Sequence, residues 1–585
     1  MSAARRQTGL GALARHGFAD AQAAERLLVD PVLAGQPANR DRLVEALGAS
    51  ADPDLALRGL VRLAEAAPDR DALMAALRED DGLRERLLAV LGFSAALGEH
   101  LARHPEHWHV LREDGRRPAP DDVRRMLLRA VGADPDAAAP VAPDPGLATD
   151  ALRVAYRRSQ LGLAARDLTE RMGLEEVAGE LADLAAATVE AALAVARGEL
   201  PADATPARLA VIGMGKCGGC ELNYVSDVDV VFVAAPADDQ ADADTERAAL
   251  ATATRLAAGL MRVCSATTGE GTIWPVDAAL RPEGKAGPLV RTLASHLAYY
   301  QRWAKTWEFQ ALLKARPIAG DLALGHAYVE AVAPLVWAAA AREHFVEDVQ
   351  AMRRRVEEHV PADVADRQLK LGPGGLRDVE FAVQLLQLVH GRTDESLRSA
   401  TTLDALAALA AGGYVGRDDA AELGEAYRFL RTLEHRIQLH RLRRTHVVPE
   451  RDEDLRRLGR SMGMRRDPVA ELTTQWRRHA REVRRLHEKL FYRPLLLAVA
   501  HLAPDEVRLT PAEASARLGA LGYADPDGAL RHIEALTSGV SRRAAIQRTL
   551  LPVMLGWFAD APDPDGGLLA FRRVSEALGA THWYL

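Results

Sequence analysis

The chain has 585 residues, of which 48% are hydrophobic and 27% charged, and its formal net charge is −8. This length predicts several domains with buried cores, and the negative charge argues against a general nucleic-acid binder, which needs a basic field. The chain contains no uninterrupted stretch of the roughly 18 apolar residues that a membrane helix needs, and no signal peptide is recognisable. We therefore expect a cytoplasmic protein with no membrane or nucleic-acid partner, and the three cysteines predict no disulfide framework.

The first 150 residues predict a helical N-terminal domain. Apolar residues recur at helical spacing in segments such as LVRLAEAA and ALMAALRE, without strand-like alternation. Several prolines stand among Ala and Asp residues between positions 118 and 148, around one basic helix, which predicts a mobile connector or a domain edge. Helical periodicity resumes near residue 150 and continues to Arg197.

Residues 209–233, LAVIGMGKCGGCELNYVSDVDVVFV, contain an apolar strand, a glycine turn and two acidic residues at the start of a second apolar strand. Asp227 and Asp229 are two positions apart, so that in a strand both side chains leave the same face and can share a divalent cation. Such a pair can hold Mg²⁺ while water and substrate phosphate supply the remaining ligands. A simple turn role for the two acids is the alternative.

The glycines of this turn allow two interpretations. Gly218 and Gly219, with Ser226 nearby, would form a phosphate cradle, because a backbone N–H can approach an anion closely where there is no Cβ. Gly213, Gly215 and Gly218 also match the dinucleotide-binding fingerprint, which requires a full helix and an acidic residue about 20 positions on. Here the second strand begins roughly ten residues after the last glycine, with its acids at its start, which favours the phosphate cradle.

A third acidic residue follows in GTIWPVDAALRPEGKAGPLV, residues 271–290. Asp277 lies in a short run rich in β formers, and Arg281 follows at the turn. On a strand beside Asp227 and Asp229, Asp277 would complete the metal and catalytic site, and Arg281 would pair with phosphate or with the acids. A strand-end cap is the alternative role for Asp277.

Lysine usage points to the same region. Only six of the 74 basic residues are lysine, and five of these lie between residues 206 and 380. In a chain that otherwise prefers arginine, a retained lysine indicates a need for a compact ammonium group, although exchange at the surface produces the same pattern. We expect Lys216 and Lys314 to lie beside a phosphate or triphosphate.

The pattern from residue 340 to residue 500 is helical again, with segments such as FAVQLLQLVHG and AYRFLRTLEHRIQLHRL. The sequence then repeats itself. GFAD at 17–20 and GYAD at 522–525, which lies 505 positions later, each precede a helical stretch, and the final residues RVSEALGATHWYL are similar to residues 95–111. We expect a second repeat to begin here, so that the catalytic unit is the first of two; chance similarity of Ala-rich helices is the alternative.

Four ordered motifs carry a resemblance to a known family. They are GMGKCGGCELNYVSDVD, VDAALRPEG, WEFQALLKARPIAGD and KLGPGGLRDVEF. Together they resemble the bifunctional glutamine synthetase adenylyltransferase and adenylyl-removing enzymes, over nearly the whole chain. Proteins of that family resemble two nucleotidyltransferase units in tandem, of which the first removes AMP from a tyrosine of glutamine synthetase by phosphorolysis and the second adds it.

The resemblance implies an α plus α/β multidomain protein, with a polymerase-beta-like nucleotidyltransferase core of mixed sheet between an N-terminal helical domain and a C-terminal helical bundle. The expected domains are residues 1–150, the catalytic domain 151–338, a bundle like that of the PII-uridylylating enzymes at 339–505, and the linker and second repeat at 506–585. The resemblance also implies Mg²⁺ as cofactor, and glutamine synthetase, the PII signalling protein, ATP or ADP and phosphate as partners. We predict the AMP-removing activity; ATP-dependent adenylylation is one alternative and a non-catalytic docking module is another.

Overall fold

A computed structural model describes most of the chain. The described residues are 10–33, 40–112, 116–169, 172–238, 240–342 and 345–500, with side chains to 491, and parts of 515–578, chiefly 522–538 and 561–578. Within these residues, helices surround one five-stranded sheet.

The N-terminal region is helical, as its periodicity predicts. Of the six helices between residues 21 and 103, five begin after an Asp or Ser side chain that accepts a hydrogen bond from a backbone N–H of the first turn, which satisfies a donor that the helix leaves free. The six helices are α1 (Ala21–Leu28), α2 (Arg40–Ala49), α3 (Pro53–Ala66), α4 (Arg70–Glu79), α5 (Asp81–Leu91) and α6 (Ala95–Arg103).

The proline-rich segment packs against other helices and is not the mobile connector that was predicted. Two of its prolines begin helices α7 (Pro120–Ala130) and α8 (Pro145–Leu168), where a missing N–H costs no hydrogen bond. Helix α7 packs against α9 (Leu174–Gly198), and Ala142 N donates to Ala194 O at 3.0 Å. Helix α8 also crosses the expected domain boundary at residue 150.

The sheet is mixed, as expected. Its strands are β1 (Ala207–Gly213), β2 (Val228–Pro236), β3 (Val276–Asp277), β4 (Val290–Arg291) and β5 (Arg316–Gly320). The order is β3-β2-β1-β5, with β4 also paired to β2. Strand β1 is antiparallel to β2 and β5, whereas β3 and β4 are parallel to β2. The antiparallel β1–β2 pair, joined through a helix α10 of only four residues (Gly215–Gly218), excludes a Rossmann unit.

Helices cover both faces of the sheet. Helices α9 and α11 (Ala243–Ser265) pack on one face, and α14 (Leu322–Ala338) packs on the other. Alternate residues of β1 enter separate cores: Val211 lies on the α9 side and Ile212 on the α14 side. Because both faces are buried, the strands are almost continuously apolar. Two short helices, α12 (Leu293–Arg302) and α13 (Thr306–Leu312), lie between β4 and β5.

One helical stretch, Leu322–Ala341, is long and apolar enough to cross a membrane by length and composition alone, with a mean hydropathy of 1.3. It buries Tyr328 and Val332 against the sheet and carries Glu330 on its exposed side. A single helix of this kind in the described part of the chain is weak evidence for a membrane span, because core helices of soluble proteins pass the same test.

The bundle that follows packs on the helices beside the sheet and on the N-terminal helices. Arg460 donates to the carbonyl oxygens of Gly48 at 2.6 Å and Ser50 at 2.8 Å, and Ser94 Oγ donates to Leu439 O at 2.7 Å. The expected boundary at 338 falls at the end of α14, and the one at 505 lies outside the described residues. The bundle helices are α15 (Phe345–Glu358), α16 (Leu376–His390), α17 (Thr402–Ala411), α18 (Arg417–Arg441), α19 (Asp452–Ser461) and α20 (Pro468–Ala500).

The repeated segments share hydrogen bonds as well as sequence. In each, two consecutive backbone N–H groups before a helix donate to one carboxylate, at 2.7 and 3.3 Å to Asp54 and at 2.6 and 3.2 Å to Asp565. The donors are Ala19 and Asp20 in the first copy and Ala524 and Asp525 in the second. This shared geometry supports a true repeat.

The structure also corrects the alignment of the repeat. Asp54 lies in the first turn of α3 and Asp565 in the first turn of α22 (Pro564–Leu578), each in an Asp-Pro-Asp sequence, and α21 (Pro526–Thr537) corresponds to α1. Helix α22 therefore corresponds to α3. The sequence analysis had matched the residues at this end of the chain to residues 95–111 instead. Residues 579–585 lie outside the described residues.

Candidate active site

Strands β2 and β3 place two acidic residues side by side. Asp229 and Asp277 are register partners in parallel strands, so their side chains leave the same face of the sheet. Burial and then the charge of Asp277 raise the pKa of Asp229 to about 6. Asp277 Oδ1 also accepts a hydrogen bond from Ala279 N at 2.8 Å. Two carboxylates that repel each other in this way offer a favourable position for a cation.

Asp227 departs from the predicted arrangement. It precedes β2, so strand alternation does not fix its side chain beside that of Asp229, and its Oδ2 accepts from Arg444 Nη1 at 2.7 Å. Its Oδ1 is buried without a hydrogen-bond partner. In the described part of the chain, no three His, Cys, Asp or Glu side chains are grouped closely enough to hold one metal ion. The expected set of three metal ligands is thus not assembled here.

The remaining donors still fit Mg²⁺. This ion is commonly held by one or two carboxylates, with water and substrate phosphate completing its octahedron. The pair Asp229 and Asp277 meets that requirement, and the unpartnered Oδ1 of Asp227 is a buried acceptor that lacks a donor.

The glycine that lies beside Asp229 is Gly215, and not one of the two predicted phosphate-binding glycines. Gly215 has φ 53°, and a Cβ there would lie 2.7 Å from Asp229 Oδ2. At Gly218 a Cβ would lie 1.8 Å from Lys314 O, and at Gly219 one would lie 2.8 Å from a backbone carbonyl oxygen. The last two glycines therefore permit close packing of the turn against neighbouring backbone, and Gly215 is the glycine that faces the acid. The predicted role of Gly218 and Gly219 in binding phosphate stays a prediction.

A cavity of about 510 Å³ opens beside this turn, between the sheet and the bundle. Its volume lies in the range of small-molecule and cofactor sites. Asp229, Gly215 and the predicted Ser226 line it, together with apolar side chains such as Trp307 and Phe381. Its charged lining consists of five cationic residues and two carboxylates, which favours an anionic ligand. The cationic residues are Lys216, Lys314, Arg355, Lys370 and Arg377, and the carboxylates are Asp229 and Glu380.

A second pocket, of about 610 Å³, holds Asp227, Asp277, Arg281 and Lys285. The guanidinium of Arg281 donates to carbonyl oxygens of its own loop, including those of Ala278 at 2.8 Å and of Lys285 at 3.2 Å. Arg281 therefore closes the loop after β3 in this structure, a role that the sequence analysis missed. Its predicted contact with phosphate stays a prediction.

Both predicted lysines reach the cavity, and both form ion pairs. Lys216 Nζ donates to Glu380 Oε1 at 2.6 Å, while Lys314 Nζ is bonded to Glu221 and to Thr402 Oγ1, the latter at 3.2 Å. Burial, and then the positive charge of Arg431, lower the pKa of Lys216 to about 8. Their contact with phosphate stays a prediction.

A buried polar network behind the turn was not predicted. The fully buried Arg431 of α18 donates to Glu221 O at 2.8 Å and lies 3.3 Å from Glu434. Burial alone would raise the pKa of Glu434, but hydrogen bonding to His446 and the charges of Lys216 and Arg431 lower it well below its ordinary value. The polar residues at 427, 431, 434 and 438 recur at helical spacing, a signal that could have indicated this face.

Two family models match the chain: glutamate-ammonia ligase adenylyltransferase over residues 84–331, and GlnD PII-uridylyltransferase over residues 350–491. Proteins of Streptomyces avermitilis, Nocardia farcinica and Mycobacterium bovis, each named bifunctional glutamine synthetase adenylyltransferase/adenylyl-removing enzyme, are 64%, 54% and 49% identical to it. The matches cover 99%, 92% and 98% of this chain, and 57%, 54% and 57% of those relatives. The chain thus spans a little over half the length of these relatives, and it belongs to the family of bifunctional glutamine synthetase adenylyltransferase/adenylyl-removing enzymes.

Proposed function

We propose that this chain is a Mg²⁺-dependent nucleotidyltransferase that removes AMP from an adenylylated tyrosine of glutamine synthetase by phosphorolysis. The observation that carries this proposal is the register-matched pair Asp229 and Asp277, which meets the glycine turn at Gly215 beside a cavity whose charged lining is mostly cationic. This arrangement suits a polyanionic substrate whose phosphates share a metal with two carboxylates.

Asp229 and Asp277 would hold the Mg²⁺, with Asp227 as a further carboxylate at the adjoining pocket. When bound, the metal would offset negative charge on the phosphoryl oxygens. Gly215 keeps the space in front of the Asp229 carboxylate open, and the hydrogen bond from Ala279 N fixes the orientation of Asp277. These residues therefore position the carboxylates before substrate binds.

In the proposed reaction, an oxygen of inorganic phosphate forms a bond to the AMP phosphorus, and the bond from that phosphorus to the tyrosine oxygen breaks. The electron pair stays on the tyrosine oxygen, which takes up the proton of the monohydrogen phosphate, so that the products are ADP and unmodified tyrosine. Because the attacker is already anionic, a strong general base is not needed. The leaving tyrosinate, with a free pKa of about 10, needs the proton or nearby positive charge.

The direction of transfer is inferred from the repeat. A second copy of the α1 and α3 hydrogen-bond arrangement follows the bundle, and the family resemblance assigns AMP removal to the first of two units. The same carboxylates would serve ATP-dependent adenylylation, which is the second candidate. On the same resemblance, the PII signalling protein is the proposed regulatory partner.

The test is direct. The chain is incubated with adenylylated glutamine synthetase, Mg²⁺ and phosphate, and ADP is measured by chromatography. We expect ADP in proportion to AMP lost, at least about a 100-fold lower rate in Asp229→Asn, and an unchanged rate in Asp244→Asn, a matched change at an exposed carboxylate. Labelling of unmodified glutamine synthetase from radiolabelled ATP, without ADP release from the modified form, would show that the direction is wrong. Absence of both reactions would refute the proposal.

A further inference from the structure

The cations of the cavity differ in how they are neutralised. Lys216 is bonded to Glu380 and Lys314 to Glu221. Lys370, by contrast, has no carboxylate within ion-pair distance among the residues that the structure describes, although it is partly buried. An ammonium that is partly removed from water and forms no direct ion pair is costly, because the charges of Glu434 and Glu380 act on it without contact. This position therefore suits an additional anion.

Arg377 extends the same positive surface. It lies in the first turn of α16, where its backbone N donates to Lys370 O at 3.0 Å, and this bond fixes the two residues together. Its Nη1 reaches Glu380 Oε2 at 3.1 Å, but 37% of its side chain remains exposed and it lines the cavity. Burial and then the charge of Arg377 lower the pKa of Lys370, which indicates that the two cations lie close enough to repel each other. An anion bound between them would relieve that repulsion.

The helix N-terminus does not account for these features. The first N–H groups of α16 already donate to loop carbonyls, with Leu376 N bonded to Leu369 O at 2.8 Å. Asp378 accepts from Gly374 N at 2.7 Å and is also bonded to the buried Arg353. The loop is thus held by backbone groups and by Asp378, and these contacts do not use the side chain of Lys370 or of Arg377.

We propose that Lys370 and Arg377 bind the attacking inorganic phosphate, the group that becomes the terminal phosphate of ADP. The proposal deepens the proposed function and rests on it for the role of the phosphate, while the binding site itself rests on the two cations. A guanidinium and an ammonium together match the oxygens of a phosphate dianion. Both side chains come from the bundle and Asp229 comes from the sheet, so the phosphate would lie across the cavity from the carboxylate that holds the metal.

Equilibrium binding tests this site without requiring turnover. Inorganic phosphate, ADP and AMP are each titrated into the full chain in the presence of Mg²⁺, by calorimetry or phosphorus NMR. In Lys370→Met and in Arg377→Gln we expect affinity for phosphate and for ADP to fall at least about tenfold, with less than about a twofold change for AMP. The matched control is Lys305→Met, because Lys305 is an exposed lysine outside the cavity lining. If ADP forms, the KM for phosphate should rise while that for the adenylylated protein stays constant.

The outcomes separate the site from the reaction. Unchanged phosphate affinity in both variants, or no phosphate binding by the parent chain, overturns the proposal. An equal loss for AMP and phosphate also overturns it, because the cations would then hold the AMP phosphate or support the fold generally. Phosphate binding that depends on both cations, without ADP release from adenylylated glutamine synthetase, upholds the site and refutes the proposed reaction. Arg377→Gln alters a partly exposed side chain, so it remains informative if Lys370→Met does not fold.

Discussion

Replacement of Gly215 by alanine should disable the catalytic site while leaving the fold in place. An alanine at φ 53° adopts the left-handed conformation, which costs an L-residue about 1–2 kcal/mol. Its Cβ would also lie 2.7 Å from Asp229 Oδ2, so the carboxylate has to move away from its partner Asp277. Misplacement of a reacting group by about 1 Å costs on the order of 100-fold in rate. We therefore expect a loss of about that size in turnover.

The matched control is Gly413→Ala. Gly413 has φ 76°, and a Cβ there would meet no atom within 4 Å, so the variant carries similar backbone strain without the clash. Both variants should lose a similar 1–2 kcal/mol or so of stability, measured by thermal unfolding, but only Gly215→Ala should lose ADP release. Full activity in Gly215→Ala, or equal loss of activity in the two variants, would show that the contact with Asp229 does not position the carboxylate.

Three further predictions concern buried charges and the repeat. Lys314→Met should cost about 3–5 kcal/mol of stability, because Glu221 keeps its buried charge without its partner. Adding Glu221→Gln to this variant should recover part of the loss, as measured by thermal unfolding. An unchanged melting temperature in Lys314→Met would contradict a structural role for Lys314. Burial and then the charge of Arg431 lower the pKa of His435 to about 3. Below the unfolded-state pKa of about 6.5, the unfolded chain therefore binds a proton at His435 that the folded chain does not bind. The stability that the neutral His435 contributes is fully present above pH 6.5, and the free energy of unfolding falls by about 2 kcal/mol by pH 5. His435→Gln should flatten that part of the profile of unfolding free energy against pH, and an unchanged slope would refute the assignment. Asp565→Ala should speed hydrogen exchange at the amides of residues 524 and 525, and Asp54→Ala should do the same at residues 19 and 20. If either variant leaves its own segment protected from exchange, these hydrogen bonds do not hold the segment before the helix in place.

The acidic centre was within reach of sequence reasoning because it depends on local pattern. Apolar runs with an acid at one end predict strands, and adjacent strands bring Asp229 and Asp277 together. The glycines of the turn were not separable in this way. Gly215 and Gly218 are chemically identical. Their roles differ because Gly215 has a positive φ, whereas Gly218 packs against the carbonyl oxygen of Lys314, which lies far away in the sequence. Spacing carries no information about that carbonyl.

The ion pairs were out of reach for a related reason. Lys216 and Glu380 are 164 positions apart, and Asp227 finds its partner in Arg444 of a segment beyond α18. Lysine usage identified the right neighbourhood but not the counterions, because pairing depends on how the bundle is placed against the sheet. The prediction of a mobile connector was wrong because prolines also occur in the first turn of packed helices, as Pro120 and Pro145 do here.

The cavity straddles the division between the two family matches. Residues 84–331 contribute the glycine turn and Asp229, and residues 350–491 contribute Lys370, Arg377 and Glu380. A chimera that grafts a foreign bundle onto this sheet would bring together two halves of a charge pattern that had not been matched to each other. Redesign of ligand preference in this architecture therefore requires paired substitutions, one in the sheet region and one in the bundle.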